Sequence, residues 1–345
     1  MNNTTLAQTS NLLVYGAMFV LALALLAFAA DLAVGSGRRR AAMAERHRRA
    51  LKVAVQAGSA GTEERRTSVD VIDRPPEDPS PDPVDTVDDR WARVGVSLST
   101  LAFLLMAAAV ITRGISAGRP PWGNMYEFSL AGATAAMGVW LLLVRRRPEI
   151  RELGLVVVLA ALLILGVAVV VLYTEAAQLV PALKSYWLWI HVTAAIIASG
   201  IFTVGSVASL LYLFAERYER RVATGATNER MGTLDSFGAR LPSSKMLDRT
   251  AYQTIAFAFP LWFFAIVAGA IWAEGAWGRY WGWDPKETWA FITLVIYAAY
   301  LHARATAGWR GRPAAIIALV GFGAFLFSYI GVNIFFFGLH SYGGV

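Results

Sequence analysis

The chain has 345 residues, 57% of them hydrophobic and only 16% charged, with a net charge of +7 and no cysteine. Such a composition excludes a soluble globular domain of this length. The lack of cysteine excludes disulfides, thiolate-held iron–sulfur clusters and a thiol nucleophile supplied by this chain.

Apolar runs of about twenty residues predict membrane-spanning helices. Eight such runs occur, at 11–35, 92–113, 126–144, 153–173, 187–214, 251–273, 288–307 and 314–337. The predicted fold is an all-α integral membrane protein of about eight spans. The first run contains Ala27-Phe28-Ala29, a small-x-small pattern of the kind cleaved from signal peptides. No Lys or Arg precedes that run, and Arg38, Arg39 and Arg40 follow it, so a retained helix over 1–35 is expected. Residues 36–91 are polar, basic first and acidic later, with five prolines between Pro75 and Pro83. This composition predicts a disordered cytoplasmic linker. Residues 92–345 then form a seven-helix membrane domain.

Basic residues gather in alternate loops. Arg145, Arg146, Arg147 and Arg151 separate runs three and four; Arg217, Arg220, Arg221, Arg230, Arg240, Lys245 and Arg249 separate runs five and six; Arg304, Arg310 and Arg312 separate the last two. The positive charge therefore flanks membrane spans, and it does not call for nucleic acid. The positive-inside rule puts both termini outside. The other loops face outward with them. One of these, Arg113 to Phe128, is turn-rich through Pro120, Pro121 and Gly123, and carries Arg119.

Residues 272–289, WAEGAWGRYWGWDPKETW, hold five of the twelve tryptophans and lie on the same outer side. Tryptophan at an interface serves as an anchor, with an apolar body and a polar N–H. Trp272, Trp277, Trp281, Trp283 and Trp289, interleaved with Gly, also suit a platform for a large planar ligand. Asp284 is placed to cap the next helix, Pro285 to open it and Glu287 to complete a capping box. Lys286 faces either water or an anionic ligand group. Of the four histidines, His47 lies among arginines in the linker and reads as solvated. His191 and His340 fall at the outer ends of the fifth and eighth runs, level with the tryptophan segment. Two such imidazoles serve either as interfacial polar groups or as the axial pair of a heme iron. His302 sits deep in the seventh run and is expected to be buried toward the cytoplasmic side.

The segment WGRYWGWDPKETW resembles the tryptophan-rich WWD signature of the heme-handling proteins of cytochrome c biogenesis. Within them it is most similar to the CcsA (ResC) branch, the membrane subunit of the two-component System II cytochrome c synthetase. The likeness runs from about residue 92 to the C-terminus. The resemblance implies that heme b crosses the cell membrane and is attached to apocytochrome c at its Cys-x-x-Cys-His motif, together with a ResB-type partner subunit. It implies His191 and His340 as ligands of an outer heme iron, and His302 as one ligand of an inner heme, with the second from the partner. Trp277, Trp281, Trp283, Asp284, Lys286 and Arg119 are then expected around the outer heme, the last two toward its propionates. No nucleophile or catalytic acid is expected from this chain. A heme exporter or chaperone that delivers without ligating uses the same histidines. A third class, a transporter of another substrate or a structural bundle subunit, is weakly disfavoured, because the spans lack paired internal carboxylates for ion coupling.

Overall fold

The computed structural model describes residues 3–60, 90–175, 185–224 and 233–340. All regular structure among them is helical. The long helices are α1 (Asn3–Ala60), α2 (Arg90–Ala117), α3 (Met125–Arg146), α4 (Gly154–Val170), α5 (Tyr186–Ala223), α7 (Ser244–Trp277), α8 (Pro285–Thr306) and α9 (Arg312–Leu326). A short α6 (Thr233–Gly238) precedes α7. A π turn, Phe327–Gly331, continues α9 into α10 (Val332–Phe335).

Seven helical segments among the described residues are long and apolar enough to cross a membrane, so this is a multi-pass membrane protein. They match seven of the eight predicted spans. The remaining one, α8, has 22 residues, as many as α3, yet falls outside that set. Its Trp289, Tyr297, Tyr300, His302 and Arg304 dilute its hydropathy. Its direction is fixed by three contacts. Lys286 reaches the Ser328 carbonyl, Tyr297 lies against Gly321, and Arg304 pairs with Asp248. Thus α8 runs antiparallel to both α7 and α9, over about 33 Å at about 1.5 Å per residue.

The first helix runs further than the sequence reading placed it. Helix α1 continues to Ala60, so residues 36–60 of the expected linker are helical. The segment from Arg38 to Ala57 is rich in Ala and Arg and has no Gly or Pro, all favourable to helix continuation. Residues 61–89, with the proline cluster, lie outside the described residues.

Helices in lipid associate through close packing rather than hydrophobicity, because lipid tails are as apolar as Leu. Small residues accordingly occupy the contacts, among them Ala17, Ala24, Ala102 and Ala109 between α1 and α2. The Ser10 hydroxyl donates to the Ala109 carbonyl across that contact, at 2.8 Å. Large apolar side chains such as Leu12, Phe19, Leu104 and Ile111 point outward, where lipid solvates them. Helix α5 is central, with 89% of its most apolar window buried. A β-carbon at Gly200 would stand 2.8 Å from the Ala136 nitrogen, so α3 and α5 approach there as only glycine permits. On its other side, the Phe202 ring stacks on Tyr297 of α8, with centroids 4.0 Å apart and planes 3° from parallel. This packing brings the N-terminal ends of α3, α5 and α8 together with the C-terminal ends of α7 and α9–α10.

Candidate functional site

A cavity of about 240 Å³ lies among those helix ends. Its lining is largely apolar and aromatic, with Phe128, Trp262, Trp272, Tyr280, Trp281 and Phe325 prominent. His191, Lys286 and His340 also line it. Three residues singled out for different sequence reasons therefore converge on one space.

His191 is held from below by α7. Its Nδ1–H donates to the Ala265 carbonyl at 2.6 Å. The ring lies nearly parallel to Trp272, 11° from coplanar. Gly269 makes room for it, since a β-carbon there would stand 2.7 Å from His191 Cε1 and Nδ1. His340 follows α10 on a short strap, extended at Phe336 and turning at 338–340. Its Nδ1–H donates to Asp284 Oδ1 at 2.9 Å, and its ring packs edge-on against Trp277 at 4.8 Å and Trp272 at 5.8 Å. A carbonyl and a carboxylate only accept, so Nδ1 is the protonated nitrogen in both rings. In each neutral imidazole the lone pair then resides on Nε2.

The tryptophan segment is built around the start of α8. Gly278 ends α7 in the left-handed conformation, φ +71°, where a side chain would be strained. The chain then reaches Trp283, the non-glycine residue with positive φ among the described residues, at +58°. Strain of about 1–3 kcal/mol at such a residue needs surrounding contacts to hold it. Thr288 supplies one, donating its hydroxyl to the Trp283 carbonyl at 3.2 Å. The expected capping box is present: Asp284 caps, Pro285 opens the helix, and Glu287 reaches back to the Asp284 nitrogen at 3.1 Å. Glu287 also accepts from the Gly282 nitrogen at 2.8 Å. Asp284 does more than cap. It accepts from the Lys286 nitrogen at 3.0 Å, the Leu339 nitrogen at 2.7 Å and the His340 ring. Burial raises its pKa, but the bonds from His340, Leu339 and Lys286 outweigh this and hold it below the ordinary value.

The other expected site residues fall in distinct places. Trp281 lines the cavity, and Trp277 sits behind His340. Trp283 is largely exposed and packs on Trp281 and Phe291, away from the lining. The Lys286 ammonium donates to the Ser328 carbonyl at 3.0 Å, inside the π turn, leaving two of its three N–H donors. Trp122 lines the same cavity, and its buried indole N–H has no partner among the described residues. Arg119 does not line the cavity. It pairs with Glu127 at 2.7 Å and donates to the Pro120 carbonyl. His302 is exposed on the flank of α8, contrary to the burial expected of it. Tyr297 and Tyr300 occupy the buried face of that helix, and His302 lies on a different one.

Two features were missed in the sequence. One is the bond between Asp284 and His340, residues 56 apart in the chain. The other is a buried ion cluster behind Trp122. Arg113 and Glu127 are both fully buried and joined at 3.2 Å, with Arg119 on the second carboxylate oxygen and the Gly123 nitrogen bonded to it at 2.9 Å. Glu127 thereby fixes the α2–α3 loop that carries Trp122 into the cavity wall. An acidic residue closing a turn-rich segment that already carries two arginines was the available signal.

Comparison with known proteins decides the family. The profile of the Cytochrome C assembly protein family matches residues 122–340, which include every cavity-lining residue. The chain belongs to that family. Cytochrome c biogenesis protein CcsA of Synechococcus elongatus is 38% identical over 286 residues, covering 72% of this chain and 87% of the relative. CcsA of Cyanophora paradoxa is 37% identical over 280 residues, covering 72% and 86%. CcsA of Guillardia theta is 36% identical over 258 residues, covering 72% and 85%. The family match begins at Trp122, the first residue of the cavity wall, and ends at His340.

Proposed function

We propose that this chain handles heme in cytochrome c biogenesis, holding heme b between His191 and His340 at the outer face of the cell membrane and presenting it to apocytochrome c. The observation that carries this reading is the state of the two imidazoles. Both border one aromatic cavity, and both are committed through Nδ1 so that Nε2 is left as the lone-pair nitrogen. Axial ligation of a heme iron by two histidines requires that tautomer from each. The residues also fit the rest of the group. An apolar, tryptophan-lined space suits the macrocycle, and the spare donors of Lys286 and Trp122 suit a propionate carboxylate. Arg119, committed to Glu127, acts on that edge through the loop it braces.

Heme supplies the iron and the vinyl groups. The chain supplies binding, orientation and exclusion of water. In attachment, a cysteine S–H of the apocytochrome adds across a vinyl C=C, sulfur bonding to the inner carbon and hydrogen to the terminal one. No electrons are gained or lost in that addition, and no nucleophile from this chain is needed. His302, exposed near the inner end of α8, is available to a ResB-type partner subunit that contributes the opposing ligand of an inner heme. Co-expression with a c-type apocytochrome tests the function. Covalent heme on the cytochrome, lost when this chain is omitted, is the expected result. Heme bound to this chain without any dependence of attachment on it would reduce the role to delivery.

A further inference from the structure

The Asp284 carboxylate joins three parts of the molecule. One oxygen, Oδ1, accepts from the Lys286 nitrogen at the start of α8 and from the His340 ring. The other, Oδ2, accepts from the Leu339 nitrogen. Asp284 itself is 7% exposed, so these bonds form away from water. Gly338 completes the contact. A β-carbon there would stand 2.4 Å from Oδ2, so the strap's present approach to the carboxylate uses the missing side chain. Capping α8 needs just the Lys286 N–H bond to Oδ1 and the reciprocal bond that the Asp284 N–H donates to Glu287. The bonds to Leu339 and His340 exceed that need.

We infer that Asp284 is a positioning residue for the outer ligand, a clamp that ties the C-terminal strap to α8 and fixes Nε2 of His340 as its lone-pair nitrogen. The inference rests on the heme reading above. A carboxylate on the far nitrogen makes an imidazole a stronger donor than a peptide carbonyl does. His340 is backed by Asp284 and His191 by the Ala265 carbonyl, so the two ligands are unequal. His340 is the stronger donor, and His191 the ligand more readily exchanged.

The test uses the full-length chain with ¹⁵N-labelled histidine, heme-free and heme-loaded, and two variants. Asp284→Ser keeps a good helix cap but is too short to reach the strap. Gly338→Ala keeps the aspartate as the helix cap but sets a β-carbon 2.4 Å from Oδ2, so strap and carboxylate must part. In the heme-free wild type, the neutral His340 ring shows the Nδ1–H tautomer. Both variants are expected to give mixed tautomers at His340, with His191 unchanged. In the heme-loaded protein both shift the reduction potential upward and weaken heme retention about 10- to 100-fold. An unaltered His340 tautomer in Gly338→Ala overturns the clamp, whatever Asp284→Ser does, because the effect would then belong to the cap. If the wild type binds no heme, the functional reading fails, while the heme-free spectra still decide whether Asp284 sets the ring.

Discussion

Gly269 is the residue on which His191 depends most closely. Its missing β-carbon leaves the space the imidazole fills, and α7 supplies the Ala265 carbonyl one turn earlier. Gly269→Ala should therefore act like a mild loss of His191 while leaving the imidazole in place. Heme affinity is expected to fall about 10- to 100-fold, as for other residues that orient a metal ligand. Titration of heme into the purified variant checks this; unchanged affinity would mean that His191 does not need its present orientation. Lys286 has a separable role. Lys286→Met keeps the stem and removes the ammonium, so heme should be retained more weakly with its axial spectrum unchanged. A spectral change of the kind seen on losing a histidine would instead link Lys286 to the iron. At this scale the sequence is informative where chemistry is rare. With four histidines and one dense tryptophan cluster, each residue carries weight by itself. It is silent on Asp284 and His340, because capping already accounts for the aspartate and nothing in the chain between them announces the contact.

The C-terminal end of α2 and the N-terminal end of α3 are held by the buried cluster of Arg113, Glu127 and Arg119. Removing one partner of a buried pair leaves an uncompensated charge, at a cost of about 3–5 kcal/mol. Glu127→Ala strands two arginines and should lower the unfolding midpoint more than Arg119→Ala, which leaves Arg113 and Glu127 paired. Thermal unfolding of the two variants in the same detergent gives the comparison. Equal midpoints would show that Arg113 finds another partner. Helices were legible from hydropathy wherever a run was uniformly apolar. Their ends were less so, because caps and polar extensions lie outside that signal. Helix α1 extends past its apolar run through a segment rich in Ala and Arg. Helix α7 begins at Ser244, seven residues before the predicted run, capped by the Ser243 side chain. Helix α8 was legible by its capping box as much as by its hydropathy.

Across the whole molecule, the cavity forms where five helix ends meet at one face. The distribution of basic loops is the basis for proposing that this face lies outside. Because the chain has no cysteine, single cysteines report sidedness cleanly. A reagent that cannot cross the membrane should label Phe337→Cys and not Arg310→Cys in intact cells; the reverse pattern would invert the topology. His302 lies about 26 Å along α8 from the cavity end, at about 1.5 Å per residue. Its exposure separates two roles: as a partner-facing ligand, its loss in His302→Ala should lower heme per folded complex, whereas an unchanged ratio with the partner bound would remove the inner site. The central claim is that His191 and His340 together hold the outer heme. Absorption spectra of the protein purified with its partner, in wild type and in His191→Ala and His340→Ala, measure it most directly. A bis-histidine spectrum in wild type should be lost in each single variant and restored in part by added imidazole. A wild-type spectrum in both variants would contradict the account.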